Sequence, residues 1–146
     1  MRVYLDMCTL QRPLDDRSQL RIHLEAEAVI GILLMCQRGE AVLLASLTLY
    51  LEAIRNPYPE RQGFTMSLLA RASEVSGAEE LIEQRARGYI ERGIKPVDAL
   101  HLASAVEAKA EYFCTCDDRL LKRAKRLDTG ETRVLNPLEL IEEMER

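Results

Sequence analysis

Two stretches of this chain hold residue types able to do chemistry, at a spacing that would let them act together. In Lys95-Pro96-Val97-Asp98-Ala99-Leu100-His101-Leu102-Ala103, an acid falls in the first turn of an apolar helix that proline opens. In Tyr112-Phe113-Cys114-Thr115-Cys116-Asp117-Asp118, a short strand runs into a pair of acids. Another acid, Asp6, directly follows the apolar run Met1-Arg2-Val3-Tyr4-Leu5. Acids at the carboxyl ends of parallel strands meet at one sheet edge, where α/β proteins bind their ligands. Glu52 joins them on the expectation that it and Asp98 both lie in first turns of helices that follow loops. Carboxylates held that close repel unless a cation neutralises them or one takes up a proton. An all-oxygen ligand set suits Mg2+ or Mn2+, and such a site favours hydrolysis of a phosphodiester.

The elements that must carry these acids alternate. A buried strand is expected at residues 3–5, a loop at 12–16 and a helix at 18–37 that Gly39 closes. A second strand at 41–45 leads to a helix at 47–55 ended by Asn56-Pro57 and Pro59, and another helix follows at 60–72. Residues 73–76 stay open between strand and loop. Helices follow at 78–92, begun at Gly77 and stopped by Gly93, and from Pro96 to about 109. Strands at 112–115 and 132–135 flank a helix at 118–127, and Pro137 opens a last helix at 138–144. Short apolar strands alternating with helices imply a parallel sheet covered on both faces. The expected fold is α/β, a three-layer α/β/α sandwich around four to five parallel strands, with residues 1–146 as a single domain.

Composition bounds the function. The chain has 146 residues, enough for one domain that buries about 70% of its unfolded surface. With 24 acids against 20 bases the net charge is −4, which argues against holding nucleic acid by bulk electrostatics. Any polynucleotide contact is therefore local. Arg119, Lys122, Arg123, Lys125 and Arg126 stand beside the proposed site and are candidate RNA contacts, above all Arg119, Lys122 and Arg123. They also suit the solvated last turn of a helix. No apolar stretch reaches the roughly 20 residues that span a bilayer, and the start runs straight into a strand, so a cytoplasmic protein without membrane contact is expected. Cys8, Cys36, Cys114 and Cys116 then read as reduced thiols, and with His23 and His101 they lack the paired spacing of a zinc site.

Each acid has a structural reading too. Asp98 suits a helix N-terminus, Asp117 and Asp118 are natural N-caps, and Glu52 could pair with Arg55 at i+3. Asp6 is hardest to explain structurally, because a buried acid needs a compensating partner.

Together the residues resemble the PIN domain family over essentially the whole chain. Its first acid ends an apolar strand, as Asp6 does, and its second lies six positions after a Ser, as Glu52 follows Ser46. Asp98-Ala-Leu-His-Leu-Ala103 and Thr115-Cys116-Asp117 resemble the remaining two motifs, and Arg12-Pro13-x-Asp15-Asp16 is similar to a feature of one subgroup of small prokaryotic members. The resemblance implies a metal-dependent ribonuclease, with VapC-type toxins as the best-known small form. It implies that Asp6, Glu52, Asp98 and Asp117 hold one or two Mg2+ or Mn2+ ions, that Thr115 orients a ligand or water from behind, and that Asp118 is a cap. A homodimer and an antitoxin partner are implied in the same way. One departure is Cys8, where many members carry Ser, Thr or Asn near the metal. A thiol is a weak donor that would lower affinity or rate unless Thr9 substitutes. His101, one turn after Asp98 in an apolar helix, reads first as a hydrogen-bonded core residue and second as catalytic.

Two alternatives stand beside the nuclease. A PIN-fold module with a weak or inactive site would act through protein contacts. A phosphoacceptor receiver domain also places acids at strand ends, but the early acidic pair and the Thr/Lys pair it needs are missing.

Overall fold

The computed structural model describes residues 1–76 and 79–146. Five parallel strands form one sheet in the order β3-β2-β1-β4-β5, with β1 at Arg2–Leu5, β2 at Val42–Ser46, β3 at Glu74–Ser76, β4 at Tyr112–Cys114 and β5 at Arg133–Leu135. Eight α-helices among the described residues flank it: α1 Met7–Gln11, α2 Leu20–Gln37, α3 Leu47–Arg55, α4 Pro59–Leu69, α5 Glu80–Glu91, α6 Pro96–Glu107, α7 Asp118–Ala124 and α8 Pro137–Met144. The α/β sandwich expected from sequence is therefore present, at the upper strand count.

The chain passes outward from β1 to β2 and β3, then crosses back to lay β4 on the other side of β1. Tyr4 accordingly pairs in register with Leu44 of β2 and Phe113 of β4. The strand order reverses at β1, which opens a crevice beyond the carboxyl ends of β1 and β4. The core behind it is dense and apolar, with Leu5, Leu10, Ile32, Leu49, Leu102, Phe113 and Leu140 fully buried. α6 packs on α5 and against β2 and β4, while α8 packs on α2 and against β4 and β5.

The breaker residues act as expected at several boundaries. Gly39 and Gly93 take positive φ values of 78° and 96° just past α2 and α5, where a Cβ would be strained. Pro96 and Pro137 occupy first helical positions. Residues 74–76 resolve as strand because they pair with Leu44 to Ser46.

Other expectations need correction. Residues 7–11, given no element from sequence, form α1, which Asp6 caps. The loop at 12–16 contains a 3-10 turn at Arg12–Leu14. α2 starts at Leu20 rather than residue 18, because the Ser18 N–H donates to Asp16 Oδ1 and holds that stretch in a turn. α4 and α7 stop three residues early, at Leu69 and Ala124. The expected start of the fifth helix, Gly77 and Ala78, lies outside the described residues. No helix of the described residues is long and apolar enough to cross a membrane.

Candidate active site

Asp6 leaves the buried strand β1 and immediately caps α1. Its Oδ1 accepts from the Thr9 amide at 3.2 Å, the Thr9 hydroxyl at 2.7 Å and the Cys8 thiol at 3.1 Å. Thr9 thus supplies the strong hydroxyl donor that Cys8 does not. The contact with Cys116, then burial and the charge of Asp6, push the Cys8 thiol far up, so it stays a protonated donor. Asp6 itself is only 3% exposed, yet its donors are all neutral. A buried carboxylate without a cation stores unfavourable desolvation that a positively charged ligand relieves.

Asp117 caps α7 in the same manner. Its Oδ1 accepts from the Arg119 and Leu120 amides at 2.9 and 3.2 Å. Behind it, the fully buried Thr115 accepts the Asp117 amide at 3.1 Å, so its hydroxyl fixes the turn that aims Asp117. Asp118 is not a cap. It lies in the first turn of α7 and accepts both guanidinium nitrogens of Arg21.

Asp98 sits in the first turn of α6, as expected. Burial pushes its carboxyl up, and the negative charges of Asp6, Asp117 and Glu52 push further, opposed by His101. Glu52 corrects its expected placement, because it lies in the second turn of α3, a helix that continues directly from β2 through the Ser46 cap. Its Oε1 meets His101 Nε2, and it makes no pair with Arg55 among the described residues.

Asp6, Glu52, Asp98 and Asp117 line one open cleft of about 450 Å³ together with Cys8, Gln11, Arg12, Asp15, Arg61, His101 and Cys116. Arg119 and Arg123 border an adjoining hollow with Lys95, Asp98 and Asp117, while Lys122 is exposed on the same helix. Arg123 donates to the Gly93 carbonyl at 2.6 Å, and Lys125 pairs with Glu139, so only part of the basic run is free for a ligand.

The wall lined by Arg12, Asp15 and Arg61 is only partly legible in the sequence: Arg12 and Asp15 belong to the run already noted, but nothing marks Arg61 and Glu25 as their partners. Arg12 Nη1 donates to Asp15 Oδ2 at 2.8 Å, Arg61 Nη2 reaches Asp15 Oδ1 at 2.9 Å, and Arg12 Nη2 lies 3.3 Å from Glu25 Oε1. Glu25 is 1% exposed in the middle of α2. Its place on the stripe of Ala28, Val29 and Ile32, at i, i+3, i+4 and i+7, was the available signal that it faces inward.

The donor set fits a hard divalent cation in kind. Asp6 and Asp117 each commit one oxygen to a helix cap, and the other takes no hydrogen bond among the described residues, nor does either oxygen of Asp98. Yet no three His, Cys, Asp or Glu side chains of the described residues already stand in metal-holding geometry. The carboxylates share a cleft without standing in one coordination geometry.

Comparison with known proteins bears on what such a cleft belongs to. A family model described as PIN domain matches residues 3–127. The fold is similar to that of VapBC2 from Rickettsia felis, solved bound to a DNA fragment from the promoter. That match has a TM-score of 0.61 at 12% identity and covers 92% of this chain and 98% of the other. No curated protein matches the sequence. The family match spans all four acids and the strands and helices that carry them: the chain belongs to the PIN domain family, whose members are generally nucleases.

Proposed function

We propose that this protein is a divalent-metal-dependent endoribonuclease, the toxin of a toxin-antitoxin pair, and that Asp6, Glu52, Asp98 and Asp117 hold its Mg2+ or Mn2+. The observation that carries this reading is the convergence of acids at the sheet's switch point, where Asp6, Glu52, Asp98 and Asp117 from four segments face one cleft, and burial together with the charges of the other three raises the proton affinity of Asp98. When bound, the cation supplies Lewis acidity toward a phosphodiester and balances the carboxylates. Thr9 and Cys8 hold Asp6, Thr115 holds the Asp117 turn, and Arg119 and Lys122 take backbone phosphates beside the scissile one, joined by Arg123 only through the guanidinium nitrogens that its bond to the Gly93 carbonyl leaves over.

The antitoxin proposal is supported by likeness to a VapBC complex, and a homodimer by the exposed apolar side chains Leu47, Leu51 and Ile54 on α3 with Tyr58 just beyond. A cytoplasmic setting follows from the same reading. The test is incubation with labelled structured RNAs, with and without Mg2+ or Mn2+, beside an Asp6→Asn, Asp98→Asn double variant. Metal-dependent cleavage only by the wild type supports the nuclease. Equal cutting by both preparations marks a contaminant. Metal binding without cleavage replaces the nuclease with the module acting through protein contacts, a reading that the open, unclosed acid set favours.

A further inference from the structure

Three of the four acids are placed by their backbone. Asp6 and Asp117 are helix caps and Asp98 lies in a first turn, all short side chains next to a fixed main chain. Glu52 is the exception, a longer acid in the second turn of α3 that is 35% exposed and carries more rotamer freedom. Its one polar contact among the described side chains is to His101, which is 2% exposed.

The proton count along this contact has one satisfied solution. Glu52 as a carboxylate only accepts, so His101 Nε2 donates to it. In a neutral ring Nδ1 then accepts, and the group beside it is the Tyr4 hydroxyl at 2.7 Å. Having given its proton to His101, Tyr4 accepts from the Ser46 hydroxyl at 2.6 Å, and Ser46 accepts the Leu49 amide at 3.2 Å. Every donor meets an acceptor in this direction. The reverse leaves the Ser46 proton with no acceptor among the described residues and requires a charged ring or a protonated Glu52. The chain from Ser46 through Tyr4 and His101 to Glu52 links β2, β1, α6 and α3, and Tyr4 is itself fixed by stacking on Phe113 with centroids 5.6 Å apart.

We propose that His101 is a positioning residue for Glu52: its Nε2–H occupies one carboxylate oxygen and turns the other into the cleft, while Tyr4 and Ser46 lock the ring in the tautomer this requires. The proposal rests on Glu52 being one of the acids that hold the metal.

Two variants separate this role from packing. The amide nitrogen of Gln falls near Nε2 and can still donate to Glu52, whereas that of Asn falls near Nδ1 and cannot. The measurements are Mn2+ affinity by calorimetry for wild type, His101→Gln, His101→Asn and Glu52→Gln, melting temperature for each, and the imidazole tautomer by nitrogen-15 NMR of the metal-free protein. Expected are an Nε2–H tautomer in the wild type that becomes mixed in Tyr4→Phe, and affinity lowered about 10–100-fold in His101→Asn but within about threefold of wild type in His101→Gln, at matching melting temperatures. Equal affinities in the two His101 variants, or an Nδ1–H tautomer, overturn the positioning role while leaving the metal site standing. Unchanged affinity in Glu52→Gln removes Glu52 from the metal site, and the proposal falls with it.

Discussion

Asp6 and Glu25 are both almost fully buried acids, yet their surroundings answer them differently: Asp6 lines the cleft, and Glu25 lies behind the wall formed by Arg12, Asp15 and Arg61. Glu25 lies against the guanidiniums of Arg12 and Arg21, and its neighbour Asp15 is held by Arg12 and Arg61. Asp6 has two hydroxyl and thiol donors, a backbone amide, and three further acids across the cleft. The first set of acids has guanidiniums beside it, although burial still pushes the Glu25 carboxyl up and its Oε2 takes no hydrogen bond among the described residues; Asp6 has no cation beside it among those residues. Burial of charge alone therefore says little about function; burial of charge without a counter-ion marks where a cation or a proton from outside would be stabilising.

Removing one partner from the paired wall should give the largest effect. Glu25→Ala leaves the half-buried Arg12 with Asp15 as its remaining ion-pair partner among the described residues. It should lower unfolding free energy by about 3 kcal/mol, the low end of what breaking a buried ion pair from one side costs, because Arg12 keeps some access to solvent. Urea denaturation checks this. If the variant is as stable as the wild type, the contrast between the walls fails, because the paired wall would then be no more structural than the acid one.

The acid wall should respond in the opposite sense. Asp98→Asn should cut RNA cleavage by about a hundredfold or more, since it removes one of the groups proposed to hold the metal. It should also stabilise the metal-free protein. The folded-state carboxyl is pushed above its ordinary value, so the native state binds more protons than the unfolded one and stability falls as pH rises from the ordinary carboxyl range, about 4, through the raised value. Asn carries no charge and escapes that loss. Because Asp98 is partly exposed the gain is small, roughly 1–3 °C in melting temperature at neutral pH, shrinking toward zero near pH 4. Mn2+ should raise the melting temperature of the wild type and not of the variant. A variant that melts lower than wild type at neutral pH in chelator would mean that the acid wall is balanced after all.

How much of this was legible in the sequence also divides along the two walls. The acid wall was readable because each residue sits at a boundary with a local cause: Asp6 and Asp117 follow short apolar strands, and Asp98 follows Pro96. Glu52 came through its distance from Ser46, but its turn of the helix was misplaced because nothing local marks that α3 begins directly at the end of β2. The paired wall is built from contacts between Arg12, Glu25 and Arg61, which lie far apart in sequence and meet only when the 3-10 turn and α1 bring them to one place. α1 itself is not legible because five residues are too few for a helical period to register, and its cap, Asp6, reads from sequence as the end of a strand. The Tyr4–His101–Glu52 chain was invisible for the same reason, since strand pairing and helix packing set it.

The smallest effect tests whether neutral donors tune the acid wall. Cys8 and Thr9 share Asp6 Oδ1, with the hydroxyl at 2.7 Å and the thiol at 3.1 Å. Serine in place of cysteine offers a stronger donor in a smaller side chain, and although the sulfur is sheltered beside Cys116 and Asp6, the residue as a whole is exposed, so its replacement costs little packing. A carboxylate with better hydrogen bonds is better fixed, and the oxygen left free is held more firmly toward the cleft. Cys8→Ser should therefore raise Mn2+ affinity by about two- to fivefold, a gain of under about 1 kcal/mol, the usual worth of one such bond. Cys8→Ala should lower it by no more than a similar factor, because Thr9 remains. If Cys8→Ala instead abolishes binding, the thiol rather than the Thr9 hydroxyl holds Asp6, and the neutral donors of this wall are as indispensable as the guanidiniums of the other.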